Sequence, residues 1–186
     1  RWGVRPHLGR WRRGAGAGWA RGGDDAAQSG GGGVGDARGL GSGEGGATYG
    51  PGVGVYTSQC GGIHGHPRVA PDGTVYLPDR DCVGPMSLGQ GVAISVDNGL
   101  NWTFSVVPSS TPGSSDPSVA TGLNDTGKQK DQASNTVYLG YCDGDGLPKV
   151  AVSHDQGANW VTLFNVGAGA QIKNCVFPAM LAGDGT

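Results

Sequence analysis

The strongest constraint in this sequence is an eight-residue pattern that occurs twice. Ser95-Val96-Asp97-Asn98-Gly99-Leu100-Asn101-Trp102 and Ser153-His154-Asp155-Gln156-Gly157-Ala158-Asn159-Trp160 both read S-x-D-x-G-x-N-W. Each part of the pattern has a mechanical use in a β-hairpin turn. Ser and Asp side chains bond backbone groups across the loop, Gly supplies a positive φ, and Trp packs back onto the sheet. Apolar runs flank each copy: Gly91 to Ile94 and Val150 to Val152 before, Thr103 to Val107 and Val161 to Val166 after. A weaker third copy keeps the Ser, an acid, the Gly and an aromatic at Ser42, Glu44, Gly46 and Tyr49. These turns are expected to be structural rather than catalytic.

A second repeat runs out of phase with the first. His66-Pro67-Arg68-Val69-Ala70, followed by Thr74-Val75-Tyr76-Leu77, is echoed by Asp116-Pro117-Ser118-Val119-Ala120 and then Thr136-Val137-Tyr138-Leu139. Phe177-Pro178-Ala179-Met180 opens another copy. The polar insertion from Gly122 to Asn135 reads as a loop. Each unit therefore runs strand, Asp-Gly-type turn, strand, loop, strand, S-x-D-x-G turn, strand, and a fixed period of this kind specifies architecture before any site is considered. The expected fold class is all-β, a partial propeller of about three four-stranded blades.

Composition divides the chain. Its 39 glycines among 186 residues far exceed the usual share of about 7%, and many lie among the arginines of the first 40 residues. Such a stretch buries too little apolar surface to offset the entropy of ordering it, so residues 1–40 read as disordered low-complexity sequence. Frame-shifted GC-rich DNA would yield the same residue types. No apolar stretch follows these arginines as in a signal peptide, so the N-terminus is expected to be incomplete. Residues 41–186 are the folded domain, an incomplete propeller. There, six basic residues stand against twice as many carboxylates, which argues against nucleic acid as its partner. No run approaches the roughly 20 apolar residues of a membrane span.

Cys60, Cys82, Cys142 and Cys175 form no C-x-x-C pair of the zinc or redox kind. An even count in a Gly-rich β chain favours disulfides and export. The preferred of three possible pairings is Cys60 with Cys82 and Cys142 with Cys175, because each member flanks a strand of its own repeat. Buried free thiols are the alternative.

The run Gln59-Cys60-Gly61-Gly62-Ile63-His64-Gly65-His66-Pro67-Arg68-Val69-Ala70-Pro71-Asp72-Gly73-Thr74, with the turn at Ser95, resembles bacterial Asp-box (BNR-repeat) proteins of the exo-α-sialidase-like group over about residues 41–186. The resemblance implies a secreted or cell-surface propeller and a glycan or glycoconjugate partner, with glycoside hydrolysis as the family activity and no cofactor. Propellers of this kind also serve as non-catalytic binding modules, and fold does not imply function. Sialidases as a family hold the substrate carboxylate with three arginines, use a Tyr activated by a Glu as nucleophile, and use an Asp as acid/base. From residue 41 on, only Arg68 and Arg80 are arginines, Glu44 is the sole Glu, and no F/Y-R-I-P motif occurs. The complete sialidase set is therefore not in this chain, and its missing members are expected on further blades.

Within that architecture, the innermost strands should bring His66, Asp116 and Phe177 together near one channel mouth, with His64, Arg68 and Tyr141 as neighbours. Asp116 is the candidate acid/base, with a turn residue that bonds its neighbours as the favoured alternative. His64, His66, Arg68 and Tyr141 are candidate substrate-binding residues. His64 and His66 share one strand face, but no third ligand stands at metal-site spacing, so no metal is assigned. Arg68 can meet a substrate or pair with Asp72 or Asp79. Asp143-Gly144-Asp145-Gly146 resembles the start of a calcium loop without its later ligands, which favours a tight hairpin turn. Two sequons, at Asn101 and Asn124, would accept glycans only in a eukaryotic secretory pathway. An open arc of blades leaves apolar faces uncovered, so poor solubility is expected of the isolated chain.

Overall fold

The computed structural model describes residues 17–18, 38–41, 51–56, 58–124 and 132–183. Among these residues there is no helix, and the chain is all-β, built mainly from two antiparallel sheets. The third S-x-D-like copy, at Ser42, Glu44, Gly46 and Tyr49, lies outside the described residues, as does most of the segment 1–40. Of that segment, strand β1 (Ala17–Gly18) pairs with β2 (Arg38–Gly41), which pairs with β3 (Val53–Gly54).

The first sheet holds β4 (Cys60–His64), β5 (Arg68–Val69), β6 (Val75–Val83), β7 (Leu88–Ser95) and β8 (Thr103–Val106). Its order is β4-β6-β7-β8, and β5 pairs along the same edge of β6 as β4 does. β4 and β5 thus act as one outer strand broken at residues 65–67. The second sheet has the order β12-β11-β10-β9, with β9 (Ser118–Asn124), β10 (Gln132–Cys142), β11 (Pro148–Ser153) and β12 (Thr162–Asn165). Both sheets are four-rung meanders in chain order, as strands joined by short hairpins must be.

The hairpins follow their local chemistry. Between β5 and β6, Ala70 N–H donates to the Thr74 carbonyl, Asp72 accepts from Thr74 N–H, and Gly73 holds φ +92°. Between β10 and β11 the Asp143–Leu147 turn closes with Gly146 at φ +79°. The insertion expected to be a loop behaves differently. β9 runs to Asn124 and β10 starts at Gln132, with register pairs Asn124–Gln132 and Leu123–Ala133 and a bulge between Ala133 and Val137. Backbone pairing extends the hairpin beyond the apolar positions that marked the strands, because ladder hydrogen bonds do not depend on side-chain polarity.

The two S-x-D-x-G-x-N-W turns join β7 to β8 and β11 to β12. In the first, the Ser95 hydroxyl donates to Asp97 at 2.8 Å and accepts Gly99 N–H at 2.9 Å. Asp97 also accepts the Asn101 amide N–H at 2.9 Å and its side-chain NH2 at 2.7 Å. The second copy repeats this: Ser153 donates to Asp155 at 2.7 Å, Gly157 N–H donates to Ser153 at 2.9 Å, and Asn159 gives Asp155 two bonds of 2.8 Å. Asn98 and Gln156 take φ near +60°, followed by Gly99 and Gly157 at +83° and +85°. Charge-assisted donors hold the carboxyls of Asp97 and Asp155 down at about 2: for Asp97 the Asn101 backbone N–H leads, for Asp155 the Asn159 side chain.

The main core lies between the sheets. Tyr76, Val92, Ile94 and Val107 of the first sheet region meet Val119, Val137, Leu139, Tyr141, Ala151 and Trp160 of the second. Alternation along each strand sends Leu77 and Ala93 to the opposite face, where they join Val55, Tyr56 and the Cys60–Cys82 disulfide, with Trp102 and Phe104 against them. Cys60 and Cys82 are register partners across β4 and β6. The second disulfide ties Cys142, at the end of β10, to Cys175. Two disulfides are consistent with an extracellular location.

Candidate functional site

The broken first strand and the start of β9 set the site. Gly65 N–H donates to the Pro78 carbonyl, and any side chain at Gly65 would collide with the Pro117 carbonyl oxygen. Glycine is therefore required there, because the backbone entering β5 passes directly against the backbone entering β9. This contact brings the His66-Pro67-Arg68 and Asp116-Pro117-Ser118 segments side by side.

The segment around Phe177 joins the same row. Phe177 N–H donates to the Ser115 hydroxyl at 2.6 Å and Met180 N–H to the Ser118 hydroxyl at 3.1 Å. Met180 also fills the space over Gly140, its Cγ 2.5 Å from where a Cβ would stand. Residues 177–180 thus lie along β9, held by side-chain hydroxyls rather than by a strand ladder.

The candidates differ in exposure. His66 and Arg68 are exposed, Asp116 is half-buried, and Phe177 is 74% exposed. The Arg68 side chain makes no hydrogen bond or ion pair among the described residues, and neither expected alternative partner holds it: Asp72 accepts Thr74 N–H, and Asp79 accepts the Tyr56 hydroxyl. His64 stands opposite Asp79 in the β4–β6 register. Tyr141 does not reach this surface. It is 1% exposed within the main core, and burial, with Asp143 adding to it, pushes its hydroxyl up to about 12. Strand alternation turned it inward, alongside Leu139 and Val137.

Arg80 is committed elsewhere. Its Nη1 donates to the Gly113 carbonyl at 2.9 Å and its Nε lies 3.4 Å from Asp81. The arginine thereby ties β6 to the connection between the sheets. Arg68, by contrast, is exposed and its side chain has no partner among the described residues.

The Asp143-Gly144-Asp145-Gly146 turn holds a lysine. Lys149 pairs with Asp143 and, at 2.9 Å, with Asp145. Asp143 further accepts the Thr111 N–H at 2.7 Å and its hydroxyl at 2.8 Å. Burial opposes the charge of Asp143, but the Lys149 and Thr111 bonds outweigh it and lower the carboxyl below its ordinary value. The ammonium occupies the place between the carboxylates that a cation would take, and no group of three metal-ligating side chains occurs among the described residues.

Two groups escaped sequence reasoning. Asp79 is fully buried, and its carboxylate accepts the Tyr56 hydroxyl at 2.7 Å and Asp81 N–H at 2.9 Å. Burial first and the Asp79 charge second push the Tyr56 hydroxyl far up, so it acts as a donor rather than a nucleophile at neutral pH. A carboxylate within the buried run Val75–Val83 was the available signal for Asp79. Ser115 and Ser118, which capture the Phe177 segment, carried no signal beyond their place beside Asp116. No helix among the described residues is long and apolar enough to cross a membrane. Compared with known proteins, the chain matches no family model and no curated protein sequence.

Proposed function

We propose that this chain is a sector of a secreted, sialidase-like Asp-box β-propeller directed at a glycan, the two sheets being consecutive four-stranded blades and residues 177–180 the opening strand of a third. Supporting this are the two matching S-x-D-x-G-x-N-W turns between the third and fourth strands of each sheet, and the common path of the three strand starts. Two blades do not close a ring, so the reading calls for further repeats. The channel mouth would then be lined by His66, Arg68 and Asp116, with His64 beside them.

The observation that carries the functional part is Arg68: exposed, unpaired, and entering a strand beside the one that Asp116 enters. A guanidinium in that setting suits the carboxylate of an acidic sugar. Asp116 is the group positioned to exchange a proton with a glycosidic oxygen nearby. Glycoside hydrolysis needs a second group to act with it, which this reading assigns to the further repeats it calls for.

A second reading, a non-catalytic propeller that binds a glycan or protein at the bacterial surface, is favoured by one observation: Arg80 is held by Gly113 and Asp81 and so adds nothing to carboxylate recognition. Release of free sialic acid from a sialoside, followed for the chain and for the longest reading frame that contains it, separates the two. Turnover by the longer protein, lost in Asp116→Asn, supports the hydrolase. Binding without turnover in the longer protein supports the module.

A further inference from the structure

We propose that the Asn98–Gly99 step of the first S-x-D-x-G-x-N-W turn is a deamidation site, shielded by the Ser95 hydroxyl while the turn is closed and open to reaction when the turn opens. It is the chain's one Asn-Gly pair, and Asn98 is exposed, at φ 60°. Neither Arg68 nor Asp116 takes part, and the chemistry is the same whatever the chain binds.

The reaction needs a side-chain amide next to a backbone nitrogen that can reach it, and a following glycine hinders the approach least because it has no Cβ. The Gly99 nitrogen loses its proton to hydroxide and attacks Asn98 Cγ. The new N–Cγ bond closes a five-membered succinimide, and the side-chain nitrogen leaves as ammonia, taking a proton from water. Water then opens the ring on either side. Cleavage of the N–Cγ bond leaves aspartate at position 98. Cleavage between the nitrogen and the Asn98 carbonyl carbon leaves isoaspartate, with the main chain running through the side chain. Solvent supplies the base and the water, and nothing is oxidised or reduced.

The closed turn withholds that nitrogen. Gly99 is buried, its N–H donates to the Ser95 hydroxyl at 2.9 Å, and its carbonyl accepts the Trp102 Nε1–H at 3.1 Å. Ser95 is itself 1% exposed. Hydroxide cannot reach the proton, and the nitrogen cannot swing onto Cγ without breaking the Ser95 bond. Reaction therefore draws on the molecules whose turn is open, and its rate follows their population. The product does not return to the closed form. Isoaspartate lengthens the main chain inside the four-residue spacing at which Ser95 meets Gly99 and Asp97 meets Asn101, and either product sets a second carboxylate beside Asp97. Opening thus leaves a permanent mark on this turn. The second turn is a built-in contrast: Gly157 N–H is held by Ser153 at 2.9 Å in the same way, but Gln156 would have to close a six-membered ring, a slower reaction.

The test is incubation of the full chain in mildly alkaline buffer, native and in urea with its disulfides intact, followed by peptide mapping of aspartate and isoaspartate at position 98. We expect reaction in urea to be roughly tenfold faster or more, with Gln156 unchanged throughout. In native buffer Ser95→Ala should react about fivefold faster than wild type, the equivalent of about 1 kcal/mol for one buried hydrogen bond. Trp102→Phe keeps the ring and loses only the donor to Gly99, so a smaller acceleration is expected, and it keeps the test decisive should Ser95→Ala fail to fold. Equal rates in native buffer and in urea would overturn the proposal, as would an Asn98 that stays intact in urea. So would a folded Ser95→Ala that reacts at the wild-type rate or, where that variant does not fold, a Trp102→Phe that does.

Discussion

The amide of Phe177 donates to the hydroxyl of Ser115 at 2.6 Å, across 62 residues of sequence. Ser115 is 3% exposed and immediately precedes Asp116, so one buried hydroxyl fixes both the path of the 177–180 segment and the backbone that presents the candidate acid. Ser115→Ala should destabilise the chain by about 1 kcal/mol and raise amide exchange at Phe177 and Met180 more than anywhere in β10. Unchanged exchange at these two amides would show that the segment is held by something else.

The Asp-box carboxylates give the fold an acid limit. Asp97 and Asp155 titrate at about 2 in the folded chain against an ordinary 3.8, so the folded state favours their charged forms. That contribution is complete above the unfolded value and is lost as pH falls toward about 2. Asp143, also lowered, acts in the same direction. Urea midpoints should be flat from pH 7 to about 5 and fall below pH 4. The fall should be shallower in Asp97→Asn/Asp155→Asn, which starts from a lower midpoint. A double variant that keeps the full acid dependence would assign it to other carboxylates.

The Cys142–Cys175 bridge closes a 33-residue separation around β11 and β12. Removing it as Cys142→Ser/Cys175→Ser should cost about 3–4 kcal/mol on the loop-entropy argument, with loss of protection first in residues 167–183. Denaturation by urea, compared with the Cys60→Ser/Cys82→Ser variant, measures the difference. Cys60 and Cys82 already face each other in a strand ladder with a shorter separation, so their removal should cost less.

How much of this was legible beforehand depended on the range of the interaction. Every group in the S-x-D-x-G-x-N-W turns meets a partner within four residues, so the motif carries its own geometry. The strands beside it followed from apolar runs and were found to within a few residues: β7 and β11 begin two to three residues earlier than their apolar cores. The β9–β10 extension was missed because backbone pairing there is independent of side-chain type. Tyr141 was placed at the surface although alternation from Leu139 turns it into the core. The Tyr56–Asp79 bond spans 23 residues, and no local pattern couples the two. Long-range polar contacts of that kind are set by how strands stack, which one sequence does not encode in any short window.

The most direct test of the account is equilibrium binding of an α-linked sialoside and its neutral asialo counterpart to the wild-type chain and to Arg68→Ala, at low and high salt. Arg68 is exposed and unpaired, so its removal should leave the thermal midpoint unchanged. The account predicts that the sialoside binds, that the asialo sugar binds at least tenfold more weakly, and that Arg68→Ala and added salt each erase this preference. Equal binding of both sugars, or a preference that survives Arg68→Ala, would contradict it.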